Sequence, residues 1–453
     1  MTAPNHSNRW TRLVSCPTKT LLDPPADFRA GQGAPTRRNS SKGTGEEAQR
    51  RPARKDAAQR ARSWWDRTLG ALATLLLVCV AGAAVLPDDR ADVFWSTYRG
   101  GGMDITGKSI LVRKKFTEQF SAEANYFVDT VSGASVDVLS NASVIKDERK
   151  QKSLSLDYIH DKTQYNLSYT NSTERDYISN TTHFSLSQDM FGDLTTVSLG
   201  FTDSRNKVGE NNGTAFKPVI SWLGHATSRS YEGGMTQVIT KNLITGATLE
   251  IITDQGLLSN PYRSIRYKDT SVPLGYSLGS QIYPNTHTST AVEGRAKYYL
   301  PYRAAASLSY RYFTDTWGIR ANTIELGYTQ PISNVWILEG RLRHYSQNHA
   351  TFYSDLFDFA NQLNFEGRDR NLAASTNNTI GVKATYAFLP DGWKIFKRGT
   401  VSADVSRIQF KYSDFRDIKD FNLTPAGGGY QPGSEPLYSF NAMVYQVYIS
   451  MFF

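Results

Sequence analysis

The sequence predicts an all-β chain: a transmembrane antiparallel β-barrel of about 16 strands, with about 14 as the alternative count, preceded by a disordered extension and a signal segment. Three observations predict it. At the C-terminus, Tyr445, Val447, Ile449, Met451 and the final Phe453 alternate with Gln446, Tyr448, Ser450 and Phe452, giving a strand with one large apolar face that ends on an aromatic ring. Segments of the same period recur through the chain, joined in pairs by tight turns and separated by longer polar stretches. An apolar run of secretory type precedes them all.

Composition agrees. Mean hydropathy is −0.44 with 40% hydrophobic residues, which excludes a bundle of apolar membrane helices. Aromatics reach 12%, with 25 Tyr, as rings of interfacial aromatics would require. The net charge of +9 is misleading, because residues 1–86 hold 14 Lys/Arg against 6 Asp/Glu and so carry +8 of it. The remainder is almost neutral, and nucleic acid is not an expected partner.

The front of the chain divides in two. Residues 1–59 are rich in Pro, Arg, Ser and Gly without a sustained period, so they read as a disordered basic extension or a start site assigned too far upstream. Residues 60–86 read as a signal peptide. Arg60, Arg62 and Arg67 precede the apolar run over 69–86, and Ala81, Gly82, Ala83 and Ala84 offer cleavage sites. Cys16 and Cys79 both precede the cut. The mature chain, 87–453, would therefore lack thiols, and with them disulfides and cysteine chemistry.

Strands follow in order. The first spans 92–98. Then come the pairs 108–116 with 120–131, 151–160 with 164–172, 182–191 with 194–203, 230–240 with 243–254, 290–300 with 304–313, 319–329 with 335–346, and 379–388 with 399–412; 438–453 closes the set. Each is roughly ten residues, enough to cross a bilayer at a tilt. The tight turns fall at one end of the barrel. Long loops over 132–150, 204–229, 255–289, 347–378 and 413–437 fall at the other, where they would narrow the mouth. Alternation assigns the faces: Leu154, Leu156 and Tyr158 point outward against Ser153, Ser155 and Asp157, and Ile380 and Val382 against Thr379 and Lys383. One strand departs. Val401, Ala403 and Val405 share one face but Ile408, Phe410 and Tyr412 the other, which a bulge near Ser406 and Arg407 or emergence of the strand above the membrane would explain.

Several segments resemble a known family. They are 260–267 (NPYRSIRY), 298–303 (YYLPYR), 310–318 (YRYFTDTWG), 352–357 (FYSDLF), 412–416 (YSDFR) and 435–440 (EPLYSF). In wording and order they are similar to an uncharacterised group of Gram-negative outer-membrane barrels, the domain-of-unknown-function family 3570, over residues 89–453. The resemblance implies a barrel and an outer-membrane address. It implies no activity and brings no catalytic residues.

The inferred lumen carries charge. Glu293, Arg295 and Lys297 point inward on one strand, Arg311 on the next, Glu325 on the one after, and Glu339, Arg341 and Arg343 on the fourth; Glu123 and Asp129 do so near the front. Opposed rows would set a transverse field across a pore. Alternatively they pair and hold a plugged barrel shut. The repeated Tyr353-Ser354-Asp355 and Tyr412-Ser413-Asp414 fit loop-on-loop packing better than a cation site. His183 and His287 look isolated, His344 points outward near the rim, and no Ser–His constellation or phosphate loop stands out, so neither an enzyme nor a cofactor is expected. Too short for about 22 strands and without a plug domain, the chain does not fit energised siderophore uptake.

The expectation is a passive or weakly selective channel for small hydrophilic solutes. The alternative is a closed barrel serving as a surface scaffold for another exported protein. Expected partners are outer-membrane lipid, the barrel-assembly machinery reading Tyr445, Val447, Ile449, Met451 and Phe453, and, by analogy with porins, a second copy in a homo-oligomer.

Overall fold

The computed structural model describes residues 86–133, 145–213, 219–389, 392–418 and 430–453. The extension over 1–59 and nearly all of the signal segment lie outside the described residues.

Eighteen strands are present among them. β1 (Arg90–Gly100), β2 (Met103–Lys115), β3 (Phe120–Gly133), β4 (Ile145–His160), β5 (Thr163–Thr173), β6 (Tyr177–Met190), β7 (Thr195–Asn211), β8 (Ile220–Thr240) and β9 (Leu243–Gly256) form half of the wall. β12 (Thr286–Tyr299), β13 (Ala305–Asp315), β14 (Arg320–Pro331), β15 (Trp336–Gln347), β16 (Ser375–Leu389), β17 (Arg398–Arg416) and β18 (Leu437–Phe452) form the rest. Every wall strand pairs antiparallel with its chain neighbour, and β1 pairs with β18 from Arg90↔Phe452 to Gly100↔Ala442, so the sheet closes. The count is sixteen, not fourteen. β10 (Ser264–Lys268) and β11 (Tyr276–Ser280) make a separate small hairpin.

Closure explains the wall. Each strand finds a partner on both sides, so no edge is left with unpaired N–H and C=O groups. With both sides occupied, side chains can only alternate between the outer face and the interior. Large apolar residues point out: Ile110 is 58% exposed, Leu199 58% and Val382 56%. Their neighbours Ser109, Thr379 and Asp404 are buried inside. At the end carrying the tight turns, Phe116, Phe191, Tyr302 and Trp336 form an exposed aromatic rim. The start of β1 at Arg90 and the end of β18 at Phe452 lie there too, and Phe453 packs edge-on against Phe396, 6.4 Å away.

The structure corrects three expectations. First, the supposed loop over 204–229 is mostly sheet, since β7 runs to Asn211 and β8 starts at Ile220; the loop over 132–150 shrinks likewise. In these extensions polar residues such as Ser204, Arg205, Asn206 and Lys207 occupy both faces of β7, and apolar Trp222 and Leu223 are adjacent in β8, so the period that marks a strand fades. Second, β10 and β11 lie inside the segment expected to be loop. Third, β17 has no bulge at Ser406 and Arg407, because its ladders to β16 and β18 run unbroken through both. Val405 points out while Ile408 and Tyr412 point in and are buried. The apolar residues change face because the interior itself becomes apolar at the loop end.

Two turns show the backbone demand. Gly101 and Gly102 join β1 to β2 with φ of 58° and 80°, the left-handed pair that a two-residue hairpin of matching twist needs. Gly256 ends β9 at φ 114°, and a Cβ there would lie 2.1 Å from the His225 carbonyl oxygen. Gly256→Ala should destabilise the barrel by about 2 kcal/mol or more, whereas Gly294→Ala, which meets open space, should stay within about 0.5 kcal/mol; urea unfolding in detergent micelles compares them.

Candidate functional site

The interior has three parts: a charged wall, an apolar plug at the loop end, and a cavity between the plug and the wall.

The charges expected in the lumen fall into separate clusters. On β2 to β4, Arg113 meets Glu123 at 2.6 Å and approaches Asp157 at 4.0 Å. Further along, Arg149 pairs with Asp129 at 3.0 Å and lies over the Phe127 ring. On β12, Glu293, Arg295 and Lys297 share one face; Arg295 donates to Thr236 Oγ1 at 3.2 Å across the side-chain-free space of Gly246. Arg311 donates to Glu250 at 2.7 Å. Glu325 is in register with Arg343, which is buried. Glu339 pairs with Lys383 at 2.7 Å, while Arg341 reaches Ser406 at 3.1 Å and Asp404 at 3.8 Å. These partners sit on adjacent strands, as for Glu123 and Arg113, or across one intervening strand, as for Arg311 and Glu250 or Arg341 and Asp404. The structure thus brings Glu123, Asp129, Arg311, Glu339 and Arg341 each to a partner the sequence had not singled out. It does not gather the ten charges into one site. The expected assembly residues Tyr445, Val447, Ile449, Met451 and Phe453 run along the outer side of β18 to the turn end.

The plug is built by loops folding inward. Trp317, in the β13–β14 connection, is 2% exposed; it stacks on His287 at 4.2 Å and meets Phe352 edge-on at 5.0 Å. Phe415, Tyr412 and Tyr438 pack together on the inner side of β17 and β18. His287 is not isolated, since it donates to Asp315 at 2.8 Å with both side chains buried. His183 likewise bonds Thr202 at 2.9 Å.

A buried ion network ties three loops into this plug. Arg266 of β10 is fully buried. It donates to Glu435 at 2.5 Å and 3.1 Å, to the Asp355 carbonyl at 2.9 Å, and to the Asp355 carboxylate. Arg368 also grips Asp355, at 2.9 Å, and lies over the Phe415 ring. Main-chain bonds zip the same segments: Lys268 N to Phe357 O and Phe357 N to Arg266 O, both 2.9 Å. Tyr262 anchors the other flank by accepting from Asn211 N at 2.6 Å and donating to Asp176. The repeated Tyr-Ser-Asp segments meet here as loop packing, with the Tyr353 hydroxyl donating to the Asp414 carbonyl at 3.0 Å. Burial would push the Asp355 carboxyl up, but Arg368 and Arg266 outweigh it and hold it below its ordinary value. Burial would lower Arg266, but Glu435 and Asp355 hold it well above its ordinary value.

The plug packs against the inner faces of β13 to β18 and also meets Tyr177 of β6, Val208 of β7 and Ala226 of β8, so it reaches across the loop end of the barrel. A cavity of about 660 Å³ lies between the plug residues Leu258, Trp317 and Leu372 and the inner faces of β4 to β7. That wall is hydroxyl-rich, with Arg149, paired to Asp129, its charged member: Ser155, Asn166, Thr170, Thr181 and Ser204 all face the cavity. They are fixed by cross-strand bonds, such as Asn166 Nδ2 to Ser155 Oγ at 2.8 Å and Thr181 with Ser204 at 2.8 Å. Glu123 borders the cavity on one flank and Arg311 and Arg343 on the other. The face of this wall was readable from alternation; its role beside a plug was not.

Two outcomes follow for the network. Glu435→Gln should weaken local closure of the plug by about 3 kcal/mol, because Arg266 keeps its burial and loses a charge partner. Hydrogen exchange should then quicken at 264–268 and 352–357 but not in β4 to β7. Asp355 has a lowered pKa, so its contribution is complete above the ordinary carboxylate value of about 4 and is lost as pH falls below it through the folded value. Protection of the same segments should therefore be level from neutral pH down to that value and drop beneath it.

Comparisons with known proteins place this architecture. No curated protein matches the sequence. Among solved structures, the chain is similar to a bacterial polysaccharide outer membrane secretin, at 9% identity and a TM-score of 0.41, over 81% of this chain and 100% of that one. It is similar to in-vitro folded OmpT of Vibrio cholerae at 9% identity and 0.36, over 81% and 100%. The siderophore receptor PirA of Acinetobacter baumannii matches at 10% and 0.38, over 73% of this chain and 53% of that chain. Likenesses this distant carry no argument about function. The model of the family described as "Protein of unknown function (DUF3570)" matches residues 140–399, more than half of the sequence, and the chain belongs to that family.

Proposed function

We propose that the protein is an outer-membrane barrel acting as a passive, weakly selective channel for small hydrophilic solutes. The location rests on the outer face. A continuous belt of exposed Leu, Ile, Val and Tyr around a closed wall is far larger than the apolar patches water-soluble proteins tolerate, and hydrocarbon is the medium that suits it. The aromatic rim and the short turns then face the periplasm, and the plugging loops face outward.

The observation that carries the channel reading is the interior cavity. A barrel of sixteen strands is wide enough to hold water, and the inward-folded loops leave about 660 Å³ of it open. Along its β4 to β7 side run fixed hydroxyl and amide groups that can replace the hydration of a passing solute. Charges beside the path are compensated on the wall, Arg311 by Glu250 and Arg113 by Glu123. Such a lining favours weak discrimination between ions. The closed-scaffold reading draws its support from the buried Arg266–Glu435–Asp355 network, and the two part on whether the barrel conducts.

Purified chain from about Leu86 onward, refolded and added to a planar bilayer, is expected to give stable unit steps of conductance. Arg311→Gln with Arg343→Gln leaves Glu250 uncompensated and should shift the permeability ratio toward cations by about twofold. A barrel that folds and inserts but stays silent would sink the channel and leave the scaffold.

A further inference from the structure

The outer wall carries a second feature, unrelated to the lumen. Across β14 to β17 lies a hollow of about 520 Å³. Its floor is apolar: Ile324, Leu326, Leu342 and Ile380 are all exposed there. Its rim toward the loop end is polar. His344 on β15 lies opposite Asn378 on β16, and Asn378 opposite Gln409 on β17, so the three form one row across the sheet. His344 Nδ1 donates to Asn378 Oδ1 at 2.7 Å.

Arg407 is the unusual member. It lies one outward position nearer the turn end than Gln409, in the row of Leu342, Ile380 and Met443. A guanidinium there sits at the margin of the apolar belt. Its side chain is held by one bond, Nη2 to Asn441 Oδ1 at 3.3 Å. Among the described residues no carboxylate pairs with it. By contrast, the neighbouring outward Arg99 has Asp104 within 3.6 Å. Below Leu342 on the same strand, Gly340 meets nothing within 4 Å, so the wall dips one outward position beyond the apolar floor on the turn side.

A cation facing lipid is disfavoured unless an anion meets it, and the disfavour grows with depth. Apolar floor, dip and cationic rim together have the shape of a lipid whose headgroup is an anion. We infer that this hollow binds a phosphorylated lipid of the outer leaflet. The phosphate oxygens accept from the Arg407 guanidinium, the geometry for which Arg is best suited, and from the Asn378 amide and the His344 ring. The acyl chains lie on Leu326, Leu342 and Ile380 and in the dip at Gly340. This inference rests on the membrane location proposed above.

The test uses the full barrel in neutral detergent, with diphosphoryl lipid A as probe and native mass spectrometry as readout. Wild-type barrel should retain one lipid through removal of the micelle. Arg407→Ala with His344→Ala should weaken retention by about tenfold, and Arg407→Lys should restore part of it. Phosphate-free lipid A should be held no better than by the variant, and added inorganic phosphate should not displace the lipid. Equal retention by wild type and variant, or of the phosphorylated and phosphate-free lipids, overturns the site. So does a multimer that the variant dissolves without changing lipid retention, which would make the hollow a contact between copies. Cold-gel mobility confirms that each variant is folded; if the alanine pair does not fold, Arg407→Gln is compared instead. Insertion into phosphatidylcholine vesicles separates the two readings. A barrel that inserts but does not distinguish the lipids defeats the site alone, and one that does not insert defeats the membrane location.

Discussion

Everything in this molecule depends on the β1–β18 ladder. Without it the sheet would present two long edges, each a row of unpaired backbone donors and acceptors, which is intolerable in hydrocarbon and hazardous in water. With it, strand pairing is complete and every side chain has only two directions to take. The sequence can then assign each direction a solvent: Ile110, Leu199 and Val382 to the outer medium, Ser109, Asp157 and Asp404 to the interior. The same logic makes the change on β17 intelligible. Ile408 and Tyr412 do not violate the alternation; they obey it at a height where the interior is filled by aromatic side chains instead of water.

The plug is made of charge as much as of apolar surface. Arg266 is surrounded by two carboxylates and a carbonyl, with no exposed atom of consequence. Burying such a group contributes little net stability over an apolar equivalent, but it admits few alternative arrangements. An arginine from one loop, an aspartate from a second and a glutamate from a third can satisfy one another only when all three loops are in place. Aromatic packing supplies the bulk and the ion network supplies the registry. That division accounts for loops far apart in the chain forming one body at the loop end of the barrel.

Legibility in the sequence follows the range of the interaction. The wall was legible because its evidence is local: period-2 alternation within ten or so residues and a tight turn between partners. All sixteen wall strands and their order could be read that way, and so could the faces that alternation assigned, with β17 the exception. The outer parts of β7 and β8 could not, because above the belt neither face is required to be apolar. The plug was beyond reach for a different reason. Arg266 is 169 residues from Glu435 and 89 from Asp355, and nothing local marks any of the three as a partner. His287 looked solitary for the same reason, being 28 residues from Asp315. The inward charges were legible as residues, but the carboxylate that neutralises Arg311 lies 61 residues away on β9, and so the character of the lumen was not.

That last point bears on selectivity. Rows of opposed charge would have implied a strong transverse field, as the alternation alone suggested. Where the charges pair along the wall, as Glu123 with Arg113, Asp129 with Arg149, Arg311 with Glu250 and Glu339 with Lys383, they form short dipoles whose fields fall off within a few ångströms, well inside the screening length of physiological salt. Under the channel proposal, a solute in the cavity would meet a surface of hydroxyl and amide groups with fixed orientations, flanked by compensated ion pairs. The same plug also touches Tyr177, Val208 and Ala226, so whether a solute passes turns on the conductance of the folded barrel. Weak selectivity, on that proposal, would be a consequence of where the counter-charges sit and not of a wide opening.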